Sequence, residues 1–428
     1  MVELFPKTYN KFVCPECKKV DIKINEIIFP GLHIIADCIC LNCKFEFLQD
    51  MPTAHSLYYP VILGKNNKHL YGKELSRWFH KAFLHSYLNQ SQRDIKFVKK
   101  QTKVAQEVII LNCIDYLYGH VLLKLFNAQY YIDNFPDSGL IILIPQNFAW
   151  LVPEGTAEVW TVDLNLSQAR DWYNSLNNII HKELKRFDKV YLSLAFPHPD
   201  FAKIDITKFT GIKRFNISEF DKSKPIITFI YREDRLWLSS SFGNFLFLII
   251  KDYKFFALFK LLLISRQNQR INKLFKVLNK MIPGATFYLA GLGKKRKCAS
   301  FINDLREEKI TNETELTWCK LYSHSHLVIG VHGSNMLLPT ALSAGFIEIL
   351  PASRYANIMQ DISAIYEGPL YLFLCRFAPG NPSVKTLSNL ATSIIKHYRG
   401  FYLMNSKEFK QHKLYEDVND LWGNYLKE

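Results

Sequence analysis

Five of the nine cysteines in this 428-residue sequence, Cys14, Cys17, Cys38, Cys40 and Cys43, fall before residue 44. Cys14-Pro-Glu-Cys17 and Cys40-Leu-Asn-Cys43 are two Cys-x-x-Cys knuckles separated by 22 residues. Tetrahedral zinc takes four thiolates, and two such knuckles supply them from two hairpin turns. The gap is slightly longer than in the usual zinc ribbon, and Cys38 stands as an alternative to Cys40. Four protein ligands leave no open position, so the zinc expected here is structural. A disulfide pairing is disfavoured, because the start Met1-Val-Glu-Leu-Phe-Pro6 lacks the basic region and long apolar core of a secretion signal. A cytoplasmic protein is the corresponding expectation.

A second chemistry is written around His332-Gly333-Ser334-Asn335. The turn follows an apolar run, Leu327 to Val331, and precedes a short helical segment and a second apolar run, Phe346 to Leu350. Two strands joined through a helix lie parallel, and ligands on parallel sheets sit at the carboxyl ends of the strands. Gly333 allows close approach of backbone to a ligand, and the helix start offers N–H groups to phosphate. Two more strand runs end in matching chemistry. Pro225 to Tyr231 leads into Arg232-Glu-Asp-Arg235, and Ala285 to Ala290 leads into Gly291-Leu-Gly293 and Lys294-Lys-Arg-Lys297. If these strands are neighbours, their ends converge, and Arg232 and Arg235 suit a diphosphate. A solvated Arg-Glu-Asp-Arg cluster is the competing reading, as is a solvated loop for Lys294 to Lys297. Ser334 and Asn335 either bond phosphate or cap the helix. Glu348, inside an apolar strand, needs a partner: a ribose hydroxyl pair or an internal Arg or Lys.

The elements that must position these groups alternate. Strand runs at Val108–Asn112, Leu140–Pro145, Ala157–Thr161 and Lys189–Ser193 are separated by helical spacing at Gly119–Ala128 and over Leu166–Phe187. Tyr71 to Tyr87 also reads as helical, and Gln49 to Thr53 as a linker. The expected organisation is a zinc ribbon over 1–50, an α/β domain over 51–221, a second over 222–400 and a helical tail over 401–428. The fold class is therefore α/β, with two Rossmann-like domains and a small ribbon.

In its C-terminal half the sequence resembles the nucleotide-sugar-binding half of B-fold glycosyltransferases. The residues that carry the likeness are Gly330, His332, Gly333, Pro339, Gly345 and Glu348 within about 225–351. The nearest match is the family of plant xylan-decorating transferases and the extracellular protein O-linked N-acetylglucosamine transferase. Where that family continues its turn with Ala-Gly-Leu-Thr, this chain has Ser334-Asn335-Met336-Leu337. The resemblance implies a nucleotide-sugar donor, a glycan, lipid or protein acceptor, inversion at the anomeric carbon and no catalytic metal. It also implies an acceptor-side domain with a histidine at a helix start. Here that is His120, which follows Gly119. An imidazole there can take the acceptor's proton. Asp115 is the rival base, Lys124 is a candidate to face the diphosphate, and a capping or packing histidine is the competing reading. The same plan sets His120 across a cleft from Gly333.

Composition bounds the partners. Lys and Arg number 54 against 39 Asp and Glu, a formal charge of +15, which favours anionic partners. Residues 251–280 hold eight Lys or Arg against one Asp. That stretch fits either the surface of an anionic membrane or a core helix followed by a basic surface helix. From Phe242 to Ile264, Lys251, Asp252, Lys254 and Lys260 interrupt the apolar run, so no membrane span is expected. A nucleic-acid-binding ribbon protein is the rival from another class, but residues 44–60 carry one Lys and no Arg, so nucleic acid is disfavoured. An inactive α/β scaffold is a third reading.

Overall fold

The computed structural model describes residues 1–72, 75–239, 243, 249, 257–358, 360 and 362–404. The chain divides into two compact units, Met1–Gly211 and Ile212–Glu428.

The C-terminal unit is built on a six-stranded sheet. In spatial order its strands are Ile302–Glu307, Thr286–Leu292, Ile226–Tyr231, Leu327–Val331, Phe346–Leu350 and Cys375–Pro379. Every neighbouring pair is parallel. Numbered by place in the chain, the order is 3-2-1-4-5-6, the doubly wound Rossmann arrangement. Leu327–Val331 and Phe346–Leu350 are buried at every position. Helices on both faces require such continuous apolar runs, which is why these strands do not alternate. The helix Ala257–Met281 buries Ile264, Ile271, Leu274, Phe275 and Leu278, a stripe at three- and four-residue spacing. Its apolar approach at 244–248 and 250–256, and the tail from 405 on, lie outside the described residues.

The N-terminal unit repeats the plan. Its sheet runs Val2–Phe5, Lys189–Leu192, Glu107–Asn112, Gly139–Pro145, Glu158–Val162, Phe97–Gln101. The four inner strands are parallel and follow the order 4-1-2-3, while the two edge strands are antiparallel. A five-stranded antiparallel sheet, Ile22–Ile28, Ile35–Cys40, Glu46–Asp50, Ile62–Gly64 and Leu70–Tyr71, carries the cysteine knuckles. It continues past residue 50 through the expected linker. Its Phe29, Ile34 and Phe47 share one core with Ile110, Leu143 and Leu176 of the parallel sheet and its helices.

Two helical expectations are corrected. Over Leu166–Phe187 the helix begins only at Asn174 and ends at Leu184. The backbone before it serves other segments: Tyr173 donates to Pro30 and the Trp172 carbonyl accepts from Ser91. Within Tyr71–Tyr87, Tyr71 closes a strand, and helical structure spans Arg77–Leu88. Among the described residues no helix is long and apolar enough to cross a membrane.

Candidate functional site

Three groups of side chains carry chemistry. In the C-terminal unit the strands Ile226–Tyr231 and Leu327–Val331 are adjacent, and from them the chain continues to opposite sides of the sheet order. The crevice between the carboxyl ends of such a pair is where doubly wound sheets take ligands. Arg232 and Arg235 follow the first strand and His332-Gly333 the second. Arg232 Nη1 donates to the His332 carbonyl at 3.3 Å and to Asn335 Oδ1 at 2.5 Å. Arg235 Nη1 donates to the same carbonyl. Asp234 orients Arg232 with a bidentate pair at 2.7 and 2.6 Å. A Cβ on Gly333, whose φ is +151°, would fall 2.1 Å from Arg232 Nη1 and 2.9 Å from Arg235 Nη1. Glycine is therefore what lets both guanidinium groups reach the turn.

Buried Gln267 holds the arginine loop from behind, accepting from Trp237 N at 2.7 Å and donating to Arg232 O at 2.9 Å. Because Asn335 Oδ1 faces Arg232, its amide nitrogen is turned the other way, and it is buried with no hydrogen-bond partner among the described residues. Ser334 starts the short helical turn beside it.

Other sequence candidates resolve differently. Glu348 is fully buried and meets His332, with Oε1 3.0 Å from Nδ1, a histidine partner that the sequence did not single out. Gly291 and Gly293 stand against Tyr231: added Cβ atoms would come within 2.2 Å of its carbonyl oxygen and 2.3 Å of its ring. Close packing of neighbouring strands thus accounts for both glycines. Lys294 and Lys295 point to Glu308 and Glu307 at 3.9 and 3.0 Å, as exposed ion pairs. Sequence reasoning passed over Arg306, fully buried and bonded to Asp304 through Nε at 2.9 Å and Nη2 at 2.6 Å, with its guanidinium on the Tyr231 ring. A strand arginine followed by a charged loop offered no pattern to find it by.

In the N-terminal unit the pair at the reversal of strand order is Glu107–Asn112 and Lys189–Leu192. Asp115 follows the first and is buried, as is Lys124. Lys124 Nζ lies 2.9 Å from Asp115 Oδ2 and His120 Nδ1 3.2 Å from Oδ1. Burial alone would push the Asp115 carboxyl up, but the Lys124 ammonium and then His120 outweigh it and hold it well below the usual carboxylate range. Lys124 is thus committed to Asp115, a correction to its expected role at a diphosphate.

His55, absent from the sequence candidates, packs its ring 4.5 Å from that of His120, and Trp78 lies against both. Burial, then the nearness of His120, pushes the His55 imidazole down to about 3. The backbone that delivers it is strained. Ala54 has φ +50° and Ala195 φ +46°, and Ala54 N donates to Leu194 O at 2.7 Å. Left-handed alanines cost about 1–2 kcal/mol each, and such strain concentrates at functional sites. By donor type His55, Asp115 and His120 could hold a cation, their ligand atoms lying within 4.8 Å of one another. The buried Lys124 ammonium against Asp115 fits that poorly and an orienting carboxylate well.

The third group is the cysteines. One sulfur each of Cys14, Cys17, Cys40 and Cys43 lies within 4.8 Å of the others. The two knuckles share one backbone form: Lys18 and Lys44, each the fourth residue after a first cysteine, donate to Cys14 O and Cys40 O and have φ +61° and +60°. Such a set can hold tetrahedral zinc. Cys38 lies outside it, buried with Sγ toward Ala36 O, and burial pushes its thiol up to about 12.

No family model matches this chain, and no curated protein does. Solved structures with a distant likeness include the glycosyl transferase family 9 protein from Veillonella parvula, at 8% identity and TM-score 0.43, covering 69% of this chain and 99% of that one. The Escherichia coli ADP-heptose LPS heptosyltransferase II matches at 9% identity and TM-score 0.38, covering 68% and 99%. The wall teichoic acid polymerase TagF matches at 11% identity and TM-score 0.25, covering 70% and 84%. None of these three is described as a xylan-decorating transferase. The fold stated above is read from the chain's own strand order.

Proposed function

We propose that this chain is a glycosyltransferase that holds a nucleotide-sugar donor by its diphosphate on the C-terminal unit. The observation that carries the reading is the convergence of Arg232 and Arg235 on the His332-Gly333 turn at the reversal of strand order. Two guanidinium charges at one turn suit a diphosphate, Arg232 acting as a positive charge because its fork faces Asp234, and the buried Asn335 amide nitrogen adds a neutral donor.

The sugar passes to an acceptor hydroxyl that the N-terminal unit activates. The acceptor oxygen bonds to the anomeric carbon as the bond to the diphosphate oxygen breaks, inverting that carbon. His120 takes the hydroxyl proton at Nε2, since Nδ1 faces Asp115. Asp115 is the positioning carboxylate, and Lys124 fixes it. The charge left on the nucleoside diphosphate is offset by Arg232 and Arg235. Cys14, Cys17, Cys40 and Cys43 hold one structural zinc in the same reading.

A thermal-shift panel of nucleoside diphosphates and nucleotide sugars tests it. A ligand at 100 times its Kd stabilises the native state by about 2.7 kcal/mol. Stabilisation by one nucleoside diphosphate, lost in Arg232→Ala and Arg235→Ala, is the expected result. A panel in which no nucleotide raises the melting temperature sinks the reading.

A further inference from the structure

On the C-terminal unit a pocket of about 280 Å³ opens beside the helix Ala257–Met281, and no residue of the Arg232–Arg235 or His332 turns lines it. Leu238 and Leu263 form its apolar part, and the helix adds Arg266, Gln269, Arg270 and Lys273. The lining thus holds three cations and no carboxylate. Arg266, Arg270 and Lys273 follow one another at four- and three-residue spacing, which sets them on one helix face. Arg270 is the fixed member. Its guanidinium lies on the fully buried Trp237 ring, 4.4 Å from the centroid, and Nη2 donates to Pro382 O at 2.8 Å. Trp237 Nε1 donates to the same carbonyl at 3.0 Å. The Arg270 Nε is buried with no hydrogen-bond partner among the described residues. Burial pushes this guanidinium down from the ordinary arginine range, and no carboxylate among the described residues offsets it. A desolvated charge without a counter-ion is costly, and an anion in the pocket relieves that cost.

Toward the helix start the same face continues as Leu262 and Leu258, 60% and 80% accessible, with Leu261 beside them at 45%. Leu262 precedes Arg266 by about 6 Å along the axis, at 1.5 Å per residue. Exposed leucines grouped in this way mark a contact surface. We propose that this pocket binds the phosphate group of an anionic membrane lipid, with Leu258, Leu261 and Leu262 entering the acyl layer beside it. Clustered cations suit phosphate oxygens, and apolar residues next to them suit the boundary between headgroups and acyl chains. A polynucleotide would meet the same cations but leave the leucines in water. The volume fits one phosphate group and lies just below the roughly 300–1,000 Å³ of sites that enclose a larger ligand. The proposal uses neither the donor nor the acceptor assignment above, so it can fail without them and they without it.

Flotation of the full chain with phosphatidylcholine vesicles, with and without phosphatidic acid, tests this. Capture is expected only where phosphatidic acid is present, falling roughly fivefold in Arg266→Ser and as much again when Lys273→Ser is added. Leu258→Ser combined with Leu262→Ser should also reduce it. Lys100→Ser removes an equal charge from an exposed strand position of the N-terminal unit and should leave capture unchanged. Arg270 is kept, because its removal would uncover Trp237, and unchanged melting temperatures show that the exposed-residue variants are folded. A loss in Lys100→Ser equal to that in Arg266→Ser would reduce the binding to net charge and overturn the proposal. So would equal capture by both kinds of vesicle, capture by neither, or capture that survives loss of Arg266 and Lys273. Inorganic phosphate or a single-stranded polynucleotide bound through Arg266 and Lys273, with no vesicle captured, would likewise overturn the lipid assignment.

Discussion

Glu348 and His332 form a buried pair across neighbouring strands, Oε1 to Nδ1 at 3.0 Å, with the side chains 0% and 1% accessible. In the sheet register Glu348 lies beside Gly330, so the carboxylate reaches forward to hold the first residue of the turn. The turn that gathers Arg232 and Arg235 is thus anchored from inside the sheet.

Removing that anchor has a predictable effect. Glu348→Leu leaves His332 buried beside an apolar group and is expected to cost about 3–5 kcal/mol, the range for breaking a buried pair. Glu348→Gln keeps a hydrogen-bonding group and costs less. Chemical denaturation of both variants checks the order, and equal losses would contradict it.

Gly333→Ala is the sharper probe of the arginine cluster. Its Cβ would overlap Arg232 Nη1 at 2.1 Å, and the guanidinium is the flexible partner that must move. Nucleotide affinity is expected to fall by tenfold or more with a modest loss of stability. Unchanged affinity would place the diphosphate elsewhere.

Lys124→Met strands a buried carboxylate. Asp115 then lacks its strongest stabilising charge, and a loss of about 3–5 kcal/mol is expected. Adding Asp115→Asn should restore most of it. The melting temperatures of the single and double variants give the coupling, and additive losses would refute the pairing.

Ala54→Gly relieves a left-handed backbone at φ +50° and is expected to stabilise the fold by about 1 kcal/mol. If the strain sets His55 against His120, turnover falls in the same variant. A more stable protein with full activity would make the strain incidental.

Acid stability should report His326. Burial pushes this imidazole down to about 4, so below about pH 6.5 the unfolded chain binds the proton first. Its contribution is complete above that pH and is lost on acidifying toward 4, by up to about 3 kcal/mol. His326→Gln should flatten the stability profile across that window, and an unchanged slope would assign it to other groups.

For the metal, elemental analysis is expected to show one zinc per chain. Cys17→Ser and Cys40→Ser should lose it, and Cys38→Ala should keep it. Because the knuckle sheet shares its core with the parallel sheet, metal loss should lower the melting temperature of the N-terminal unit as a whole. Zinc retained in Cys40→Ser would contradict the assignment.

Apolar runs such as Leu327–Val331 and the paired knuckles were legible because burial periodicity and turn chemistry are local properties of the chain. So was the glycine of the His332-Gly333 turn. The tertiary structure decided which groups meet. Arg232 and Arg235 reach that turn because Ile226–Tyr231 pairs with Leu327–Val331 across roughly a hundred residues. His55 arrives beside His120 through a backbone contact to Leu194. Cys40, at the end of its strand, joins the sulfurs, while Cys38, two residues back on the same face, turns its Sγ to the Ala36 carbonyl. Leu166–Phe187 carried helical spacing, yet its first residues gave their backbone to Pro30 and Ser91. Strand pairing and register are long-range, and a buried polar group takes whichever partner they bring within reach.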